Sequence, residues 1–388
     1  LPYMKHYIFG ALLWPFWVWA QTPSENEFSF IILGDSQFEQ PAEFNEIVEE
    51  VALLNPSFVI QVGDLIYGRD VNKKALSAEW QRFKGQLAPL DDIPYYPVPG
   101  NHDVETGDKR DQLKEQAYME AWGRDLYYSF DYKNAHFTVL NSIDPEEYSI
   151  GPEQIEWLEK DLVAAQAQDH RFVMFHHPIY TMEMEDQLHA LFLKYGVRAV
   201  FYGHFHHYES MVRDGIPYIM TNATGKSAIY VEEAGNFHHF LHATIKDDEF
   251  SFCLVRKRSI LPPFMIQPED NRLYHLERFL FPENPVSVSS LIETDSSYQF
   301  SLILNNPTFQ DLTAFIQWEY PNQRWQTYPN KGAKLEMKAE SKDNQLDFEF
   351  VRVDDSVIEQ WPVCRIRIPF LTAAGTWIEG EYVLIIEE

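Results

Sequence analysis

The sequence is poor in cysteine. Only two cysteines, Cys253 and Cys364, occur in 388 residues, which is too few for a disulfide framework and argues against a structural zinc site built on thiolates. Both cysteines lie in strand-like segments that alternate apolar and polar residues. This pattern fits two buried thiols, and it also fits a single disulfide between two domains in an oxidising compartment. The sequence leaves both alternatives open.

Positive charge is also scarce. Lysine and arginine number 31 against 59 aspartates and glutamates, which gives a formal net charge of −28. Proteins that bind the nucleic-acid backbone neutralise its phosphates with lysine and arginine, so nucleic acid is not an expected partner. The excess of carboxylates also repels anionic substrates at long range. Chemistry on a phosphate group would therefore need local positive charge, such as metal ions.

Long apolar runs are absent beyond the N-terminal segment, so no transmembrane segment is predicted there. The N-terminal segment itself, residues 1–20, has the pattern of a secretory signal peptide. Lys5 precedes an apolar run over Tyr7–Trp19, and a cleavage site is predicted before Gln21. This run contains Pro15 and is shorter than the roughly 20 residues that span a bilayer. We therefore expect a soluble mature protein that is secreted or periplasmic.

Residues 27–260 alternate short apolar strands with amphipathic helices. The segment Phe28–Leu33, FSFIIL, has the composition of a buried strand, and an amphipathic helical pattern follows it. Repetition of this strand and helix pattern predicts an α/β layered domain whose strand ends are available for chemistry. Residues 261–285 contain several prolines and predict a linker. Residues 286–388 show only strand-like alternation between turn-rich gaps, which predicts a β-sandwich domain of about 100 residues.

Residues that can bind metal ions follow five of the predicted strands. In chain order the motifs are GDSQ (Asp35, Gln37), GDLIYG (Asp64, Tyr67), GNHD (Asn101, His102, Asp103), FHHP (His176, His177) and GHFHHYE (His204, His206, His207). Open α/β sheets place their sites at the carboxyl ends of strands, and carboxylate and imidazole ligands suit Mn, Fe or Zn. One carboxylate shared by two ions would hold them about 3.5–4 Å apart and trap a hydroxide as nucleophile. Asp64 is the natural bridge.

In this order and spacing, the motifs resemble those of the calcineurin-like metallophosphoesterase superfamily, which are D-x-H, G-D, G-N-H-[DE], H and G-H-x-H. The resemblance extends over roughly residues 27–260. It implies a four-layer α/β/β/α sandwich for this part of the chain, followed by the all-β sandwich domain. It also implies an enzyme with two divalent or trivalent metal ions, either Fe, Mn or Zn.

The resemblance implies a role for each matching residue. The first metal would be bound by Asp35 and His206, the bridge would be Asp64, and the second metal would be bound by Asn101, His176 and His204. His102 would contact the phosphoryl group and protonate the leaving group, with Asp103 orienting its ring. His177 is expected beside the ligands, although the reverse assignment of the FHHP pair stays open.

The first motif departs from the family pattern, because Gln37 stands where histidine is usual. An amide oxygen is a weaker neutral ligand, so the first metal would be held less tightly or by another group. Tyr67 is the other candidate, because GDLIY matches the motif by which the purple acid phosphatase branch supplies a tyrosinate to iron(III). That branch, however, has glycine in place of Gln37 and usually glutamate in place of Asp103. Gln37 and Tyr67 both stay candidate metal ligands.

These observations together predict an exported two-metal hydrolase of small phosphate esters, with phosphomonoesters as the first choice of substrate. The expected mechanism is in-line attack by a metal-bound hydroxide. Phosphodiesters, nucleotides or pyrophosphates are the alternative substrates. A different class of function would be a weakly active binding or adhesion protein that acts through its β-domain, but the presence of His102 and nearly all ligand positions argues against it. The sequence gives no indication of the oligomeric state.

Overall fold

The computed structural model describes residues 25–107, 109–221, 224–226, 234–256, 259–274, 292–294, 297–320, 325–329, 332–353, 361–371 and 377–385. The predicted signal peptide and residues 275–285 of the predicted linker lie outside the described residues. In the part of the chain that is described, no helix has both the length and the apolar character needed to cross a bilayer.

The first part of the chain alternates strands and helices. In chain order the elements are β1 (Glu27–Leu33), α1 (Pro41–Leu54), β2 (Val59–Gln61), α2 (Lys73–Gln86), β3 (Tyr95–Pro97), α3 (Asn101–Val104), α4 (Gln112–Trp122), β4 (Tyr128–Tyr132), β5 (Ala135–Val139), α5 (Pro152–Ala164), β6 (His170–Met174), α6 (Glu185–Tyr195), β7 (Ala199–Tyr202), β8 (Glu209–Arg213), β9 (Ile216–Met220), β10 (His239–Lys246), β11 (Glu249–Arg256), β12 (Ser259–Leu261) and α7 (Pro268–Tyr274). Short 3-10 helices cover Ala88–Leu90, Ala165–Ala167 and Ile179–Thr181.

These strands form two six-stranded sheets. The strand orders are β12-β11-β10-β1-β2-β3 and β4-β5-β6-β7-β9-β8. Strands β1, β2 and β3 are parallel to one another, as are β5, β6, β7 and β9 in the second sheet. Because parallel strands end at the same edge of a sheet, the loops that follow them are brought together.

The two sheets pack face to face through an aromatic core. The Phe30 ring stacks on the Phe58 ring with centroids 5.2 Å apart, and Phe137 stacks on Phe172 at 5.2 Å. Phe58 also contacts Phe137 edge to face at 5.1 Å, which joins the first sheet to the second. Each such ring is fully buried, and this burial stabilises the fold by about 1.5–3 kcal/mol per side chain.

Helices cover the outer face of each sheet. Helix α1 presents Phe44, Ile47, Val48 and Val51 to the first sheet, at the spacing of one helical face. Helices α2 and α4 join this layer, while α5 and α6 pack on the second sheet. The order of layers is therefore α/β/β/α, which confirms the predicted fold class.

The C-terminal part of the chain is all-β in the described residues. Its strands are β13 (Ile292–Glu293), β14 (Ser297–Asn306), β15 (Leu312–Glu319), β16 (Trp325–Tyr328), β17 (Gly332–Met337), β18 (Ser341–Arg352), β19 (Val363–Leu371) and β20 (Trp377–Ile385). They form two antiparallel sheets in the orders β13-β14-β18-β16 and β17-β15-β19-β20. The sheets share one core, in which Trp318 packs edge to face on Phe350 with centroids 4.8 Å apart. Cys364 in this core and Cys253 in β11 are both free thiols.

Candidate metal centre

The carboxyl ends of the parallel strands of both sheets meet at one edge and bring most of the predicted ligands together. Asp35 and Gln37 follow β1, Asp64 follows β2, Asn101 follows β3, His176 follows β6, and His204 and His206 follow β7. Ligand atoms of Asp35, Asp64 and His176 lie within 4.8 Å of one another, and all three side chains are buried. A compact cluster of carboxylates and imidazoles therefore lies at the shared edge of the two sheets.

His176 lies at the centre of the pocket predicted for the second metal. Its Nδ1–H donates to the Val62 carbonyl oxygen at 2.8 Å, which leaves the lone pair on Nε2. This Nε2 atom lies 3.0 Å from Asn101 Oδ1, 3.4 Å from Asp64 Oδ1 and 3.3 Å from His204 Nδ1. Three atoms that carry lone pairs, His176 Nε2, Asn101 Oδ1 and Asp64 Oδ1, thus face one another, and His204 Nδ1 faces them. A cation between them would replace their mutual repulsion by attraction, so this pocket fits a metal ion.

The pocket predicted for the first metal lies on the other side of Asp64. Asp35 Oδ2 is 3.3 Å from His206 Nε2, and the Gln37 amide nitrogen donates to Asp64 Oδ2. The amide oxygen of Gln37 is buried and has no hydrogen-bond partner among the described residues. Burial of an unsatisfied oxygen costs about 1–3 kcal/mol. An unpaired buried amide oxygen on a side chain that contacts Asp64 fits a cation ligand, so Asp64 lies between two candidate cation pockets.

Burial and mutual proximity shift the titration of these groups. Burial and the neighbouring Asp64 carboxylate raise the pKa of Asp35 well above its usual value. Burial also acts to raise the pKa of Asp64, but the adjacent histidines, His176 first, outweigh it and bring that pKa below its usual range. Burial lowers the pKa of His206 to about 4 and lowers that of His204 further, with His176 contributing. Both histidines are therefore neutral at pH 7 and keep a lone pair available for a metal ion.

The backbone is strained where it presents these side chains. Four of the predicted ligands have a positive φ angle, namely Gln37 (42°), Asp64 (53°), His204 (84°) and His206 (58°). Residues other than glycine adopt such angles rarely, at a cost of order 1–3 kcal/mol each. The surrounding structure therefore has to hold these conformations in place. Strain of this kind is concentrated at functional sites.

Two glycines permit the close packing behind the ligands. A Cβ atom at Gly100 would collide with the backbone nitrogen and Oδ1 of Asp64. A Cβ atom at Gly63, which has φ of 101°, would collide with the His176 ring. Both positions therefore require glycine.

His102 lies beside Asp64 and is oriented by the backbone. Its backbone N–H donates to Asp64 Oδ1 at 3.0 Å, and its Nδ1–H donates to the Tyr67 carbonyl oxygen at 2.7 Å. The side chain is partly exposed. This arrangement directs Nε2 of His102 away from the loop that holds the ring.

Asp103 does not have the role predicted for it. Its carboxylate accepts hydrogen bonds from the backbone N–H groups of Gly100 at 2.9 Å, Leu65 at 3.0 Å and Ile66 at 3.2 Å. These bonds tie the GNHD turn to the GDLIY loop. The prediction that Asp103 orients the His102 ring is therefore wrong, because the carboxylate is used by the backbone and the Tyr67 carbonyl orients the ring instead.

Tyr67 is placed beside His102. Its ring centroid lies 6.2 Å from that of His102, and the Arg69 guanidinium stacks over the ring at 4.1 Å. The Tyr67 backbone N–H donates to Glu79 Oε2 at 2.9 Å. Of the two candidates for the first metal, Gln37 is the one that contacts Asp64 in the described residues.

His177 is held by a different set of partners. His177 Nδ1 lies 2.9 Å from Ser142 Oγ, and Nε2 lies 3.3 Å from Glu147 Oε1. Nitrogen atoms of His176, His177 and His204 come close enough to form a possible metal-binding group. The ring nitrogens of His177 contact Ser142 and Glu147, however, whereas Nε2 of His176 contacts the predicted ligands Asn101 and Asp64, so His176 is the better ligand of the FHHP pair.

The loop of residues 140–151, between β5 and α5, also contributes to the site and is not among the predicted site residues. It supplies Ser142 and Glu147 to His177, and the hydroxyl of Tyr148 lies 2.8 Å from His204 Nε2. One signal was available, because the polar residues Asn141 and Ser142 follow an apolar strand, β5, whose carboxyl end lies at the same edge as that of β6.

Comparison with known proteins agrees with this geometry. Residues 28–208 match the model of the family described as calcineurin-like phosphoesterase. The serine/threonine-protein phosphatase CPPED1 of Rattus norvegicus is 29% identical over 216 residues, covering 50% of this chain and 67% of the relative. Tartrate-resistant acid phosphatase type 5 of Homo sapiens is 24% identical over 258 residues, covering 56% of this chain and 78% of the relative. The structure of purple acid phosphatase PPD1 from yellow lupin shares the fold, with a TM-score of 0.51 at 18% identity over 64% of this chain and 56% of that chain.

Proposed function

The chain belongs, through residues 28–208, to the calcineurin-like phosphoesterase family of metal-dependent phosphoric ester hydrolases, and we propose that it hydrolyses small phosphomonoesters with two metal ions. The observation that carries this proposal is the position of Asp64. One oxygen of its carboxylate faces His176 and the other faces Gln37, so a single carboxylate serves both candidate pockets. The names of two relatives, a protein phosphatase and an acid phosphatase, support a monoester substrate.

The residues that would hold the ions fall into two sets that share Asp64. The first set is Asp35, Gln37 and His206, and the second is Asn101, His176 and His204. When bound, the two ions supply Lewis acidity, which activates a water molecule as the nucleophile and neutralises charge on the phosphoryl oxygens. The formal net charge of the chain is −28, so bound cations would offset the repulsion between the protein and an anionic substrate.

His102 has the geometry of a general acid in this proposal. The Tyr67 carbonyl holds Nδ1–H, so the remaining nitrogen, Nε2, is available to carry a proton to the leaving oxygen. The bond from the His102 backbone to Asp64 fixes the distance between this acid and the shared carboxylate. The Tyr67 ring lies edge to face with the imidazole, and the Arg69 guanidinium stacks on that ring.

We also propose that the protein acts outside the cytoplasm, either secreted or in the periplasm. The support is the sequence of residues 1–20, with a basic residue, an apolar run and a cleavage site. Fractionation of cells that express the full sequence, with N-terminal sequencing of the product, tests this part. A mature chain that begins at Gln21 outside the cytoplasm is expected, and an uncleaved cytoplasmic product would contradict it.

The enzymatic proposal is tested by metal analysis of the purified protein and by turnover of an aryl phosphomonoester and the matching diester. We expect two ions per chain, faster turnover of the monoester, loss of activity on chelation and recovery on addition of Mn²⁺, Zn²⁺ or Fe. Asp64→Asn should lose metal and activity together. Failure to load a second ion under any condition would contradict the two-metal proposal, and faster turnover of the diester would assign the site to phosphodiesters.

A further inference from the structure

Each of the two ring nitrogens of His204 contacts one other side chain, and only one of these side chains is a predicted ligand. Its Nδ1 atom lies 3.3 Å from His176 Nε2, inside the candidate metal pocket, while Nε2 lies 2.8 Å from the Tyr148 hydroxyl outside it. Neutral histidine carries its proton on one of these two nitrogens. If the proton is on Nδ1, the ring cannot bind a metal ion through that atom. The position of the proton therefore decides whether His204 can be a ligand.

Metal binding by His204 fixes the direction of its hydrogen bond with Tyr148. His204 Nδ1 faces the pocket, so a neutral ring that binds an ion through this atom carries its proton on Nε2. The Tyr148 oxygen, 2.8 Å from Nε2, is then the acceptor of that proton. The hydroxyl proton of Tyr148 is left for another acceptor, and the neighbouring Glu147 carboxylate, whose pKa the interaction with Tyr148 acts to lower, can accept it.

The rest of the loop supports this assignment. The backbone N–H of His177 donates to Ser142 Oγ at 3.1 Å, and the same hydroxyl can give its proton to His177 Nδ1 at 2.9 Å. Nε2 of His177 then donates to Glu147 Oε1 at 3.3 Å. The carboxylate of Glu147 thus accepts from His177 and from Tyr148, so each donor in the chain from Ser142 to His204 has an acceptor.

Ring packing also holds the Tyr148 side chain in place. Its ring centroid lies 4.4 Å from that of His177 and 5.4 Å from that of His204, the latter edge to face at 86°. Its backbone φ is 60°, in the left-handed region that a bulky residue adopts only when its surroundings impose it. Tyr148 is therefore held against both histidines.

We propose that Tyr148 is a positioning residue, which accepts the Nε2–H of His204 and thereby presents the Nδ1 lone pair to the second metal ion. Outer partners of this kind fix the tautomer and the ring orientation of metal-binding histidines. Glu147 acts through Tyr148 by taking its proton. The inference rests on the proposed two-metal function, because it assigns Tyr148 to one of the two pockets.

The test compares metal binding by Tyr148→Phe, Glu147→Gln and the unchanged protein. Each metal-free protein is titrated with Zn²⁺ against a chromophoric chelator, which resolves the two dissociation constants, and its thermal unfolding is recorded. The matched control is Tyr180→Phe, which also removes a hydroxyl that donates to a carboxylate, Glu209 Oε1, at 2.5 Å. The absorption spectrum of the Co²⁺-loaded proteins reports the coordination of each pocket independently of activity.

We expect Tyr148→Phe to weaken one of the two sites by about 10–100-fold and to leave the other site and the unfolding temperature unchanged. Glu147→Gln should weaken the same site, and Tyr180→Phe should weaken neither.

If Tyr148→Phe binds both metal ions with unchanged affinity, the inference about Tyr148 is overturned and the two-metal function still stands. Equal weakening of both sites with a lower unfolding temperature would show a merely structural role and would also overturn it. An unchanged protein that binds fewer than two ions would overturn the proposed function and this inference together.

Discussion

Nδ1 of His102 lies 2.7 Å from the main-chain carbonyl oxygen of Tyr67, so the proposed general acid is oriented by the backbone and not by a carboxylate. A carbonyl oxygen holds the ring in one orientation without adding a negative charge beside it. The position of this carbonyl depends on the GDLIY loop, which is held in turn by Asp103 and by Glu79. Asp103 therefore supports the loop, whereas the Tyr67 carbonyl makes the contact with the ring.

His102→Ala should reduce kcat by about 10²–10⁴-fold with an alkyl phosphate, and by less with 4-nitrophenyl phosphate. The reason is that a strongly basic leaving oxygen needs a proton in the transition state, whereas nitrophenolate leaves without one. The measurement is kcat for both substrates. His136→Gln is the control, because His136 contacts Asp131 and Asp161 on the outer face of the second sheet. An equal reduction with both substrates would contradict the role of His102 as an acid.

Asp103→Asn should affect stability more than catalysis. The amide has one acceptor oxygen where the carboxylate accepts three backbone N–H groups, so at least one buried donor loses its partner at a cost of about 1–3 kcal/mol. Urea unfolding measures this loss. The dependence of kcat on the leaving group should stay as in the unchanged protein. If Asp103→Asn has normal stability but shows the same dependence of kcat on the leaving group as His102→Ala, Asp103 does orient the His102 ring.

The convergence of Asp35, Asp64 and His176 could be predicted from the sequence, because each follows an apolar strand and parallel strands end at a common edge. The partner of His102 could not, because a backbone carbonyl has no residue-type signature. The contact of Tyr148 with His204 could not be predicted either, because the two residues are 56 positions apart in the chain and Tyr148 is one of 21 tyrosines. A long-range contact of an abundant residue type leaves no local pattern.

Helix α4 was also not predicted, and the reason is physical. Its buried residues include Lys114 and Glu115 as well as Tyr118, so the apolar periodicity of an amphipathic helix is weakened. These two charged residues are buried with partners, Lys114 donating to the Glu105 carbonyl and Glu115 pairing with Arg110. Tertiary contacts satisfy charges that the sequence pattern would place on a surface.

Gly100→Ala should abolish metal loading and reduce activity by about 100-fold or more, because the new methyl group would displace Asp64 and small displacements of catalytic groups have large effects. Gly85→Ala is the matched control. A Cβ atom at Gly85, in helix α2, meets no atom within 4 Å, so this change should stabilise the protein by about 0.5–1 kcal/mol. Metal content, activity and urea unfolding of both variants give the comparison. Normal metal content in Gly100→Ala would contradict the packing argument.

Gln37 and Tyr67 can be distinguished by metal binding. Gln37→Ala should weaken one of the two sites by more than the roughly 10–100-fold typical of an outer partner, because it removes the oxygen that is proposed to bind the first ion. Gln37→His should strengthen that site. Tyr67→Phe should leave both affinities unchanged, and the iron-loaded protein should show no tyrosinate charge-transfer band. A visible band that disappears in Tyr67→Phe would instead assign the tyrosine as the ligand.

His239 should make the protein less stable in acid. Its ring is buried at the start of β10 with Nδ1–H donating to the Phe237 carbonyl at 2.8 Å, and burial lowers its pKa to about 4, whereas an unfolded histidine has a pKa of about 6.5. Above pH 6.5 the ring is neutral in both states and contributes no pH dependence. Between pH 6.5 and 4 the unfolded state binds the proton and the folded state does not. Stability should therefore fall with decreasing pH, by about 3 kcal/mol in total from this group.

The variant His239→Asn tests this, because its amide can donate in place of Nδ1–H but does not titrate. In urea unfolding of the metal-free protein, its free energy of unfolding should follow that of the unchanged protein at a constant difference above pH 7. Below pH 6.5 the two should approach or cross, because the unchanged protein alone loses the contribution of His239. His242→Asn, at a half-buried position in the same strand, should alter the pH dependence less, because its ring is less desolvated. A different result would be that the free energies of unfolding of His239→Asn and of the unchanged protein differ by a constant amount down to pH 4. That result would mean that His239 is protonated in the folded state as readily as in the unfolded state.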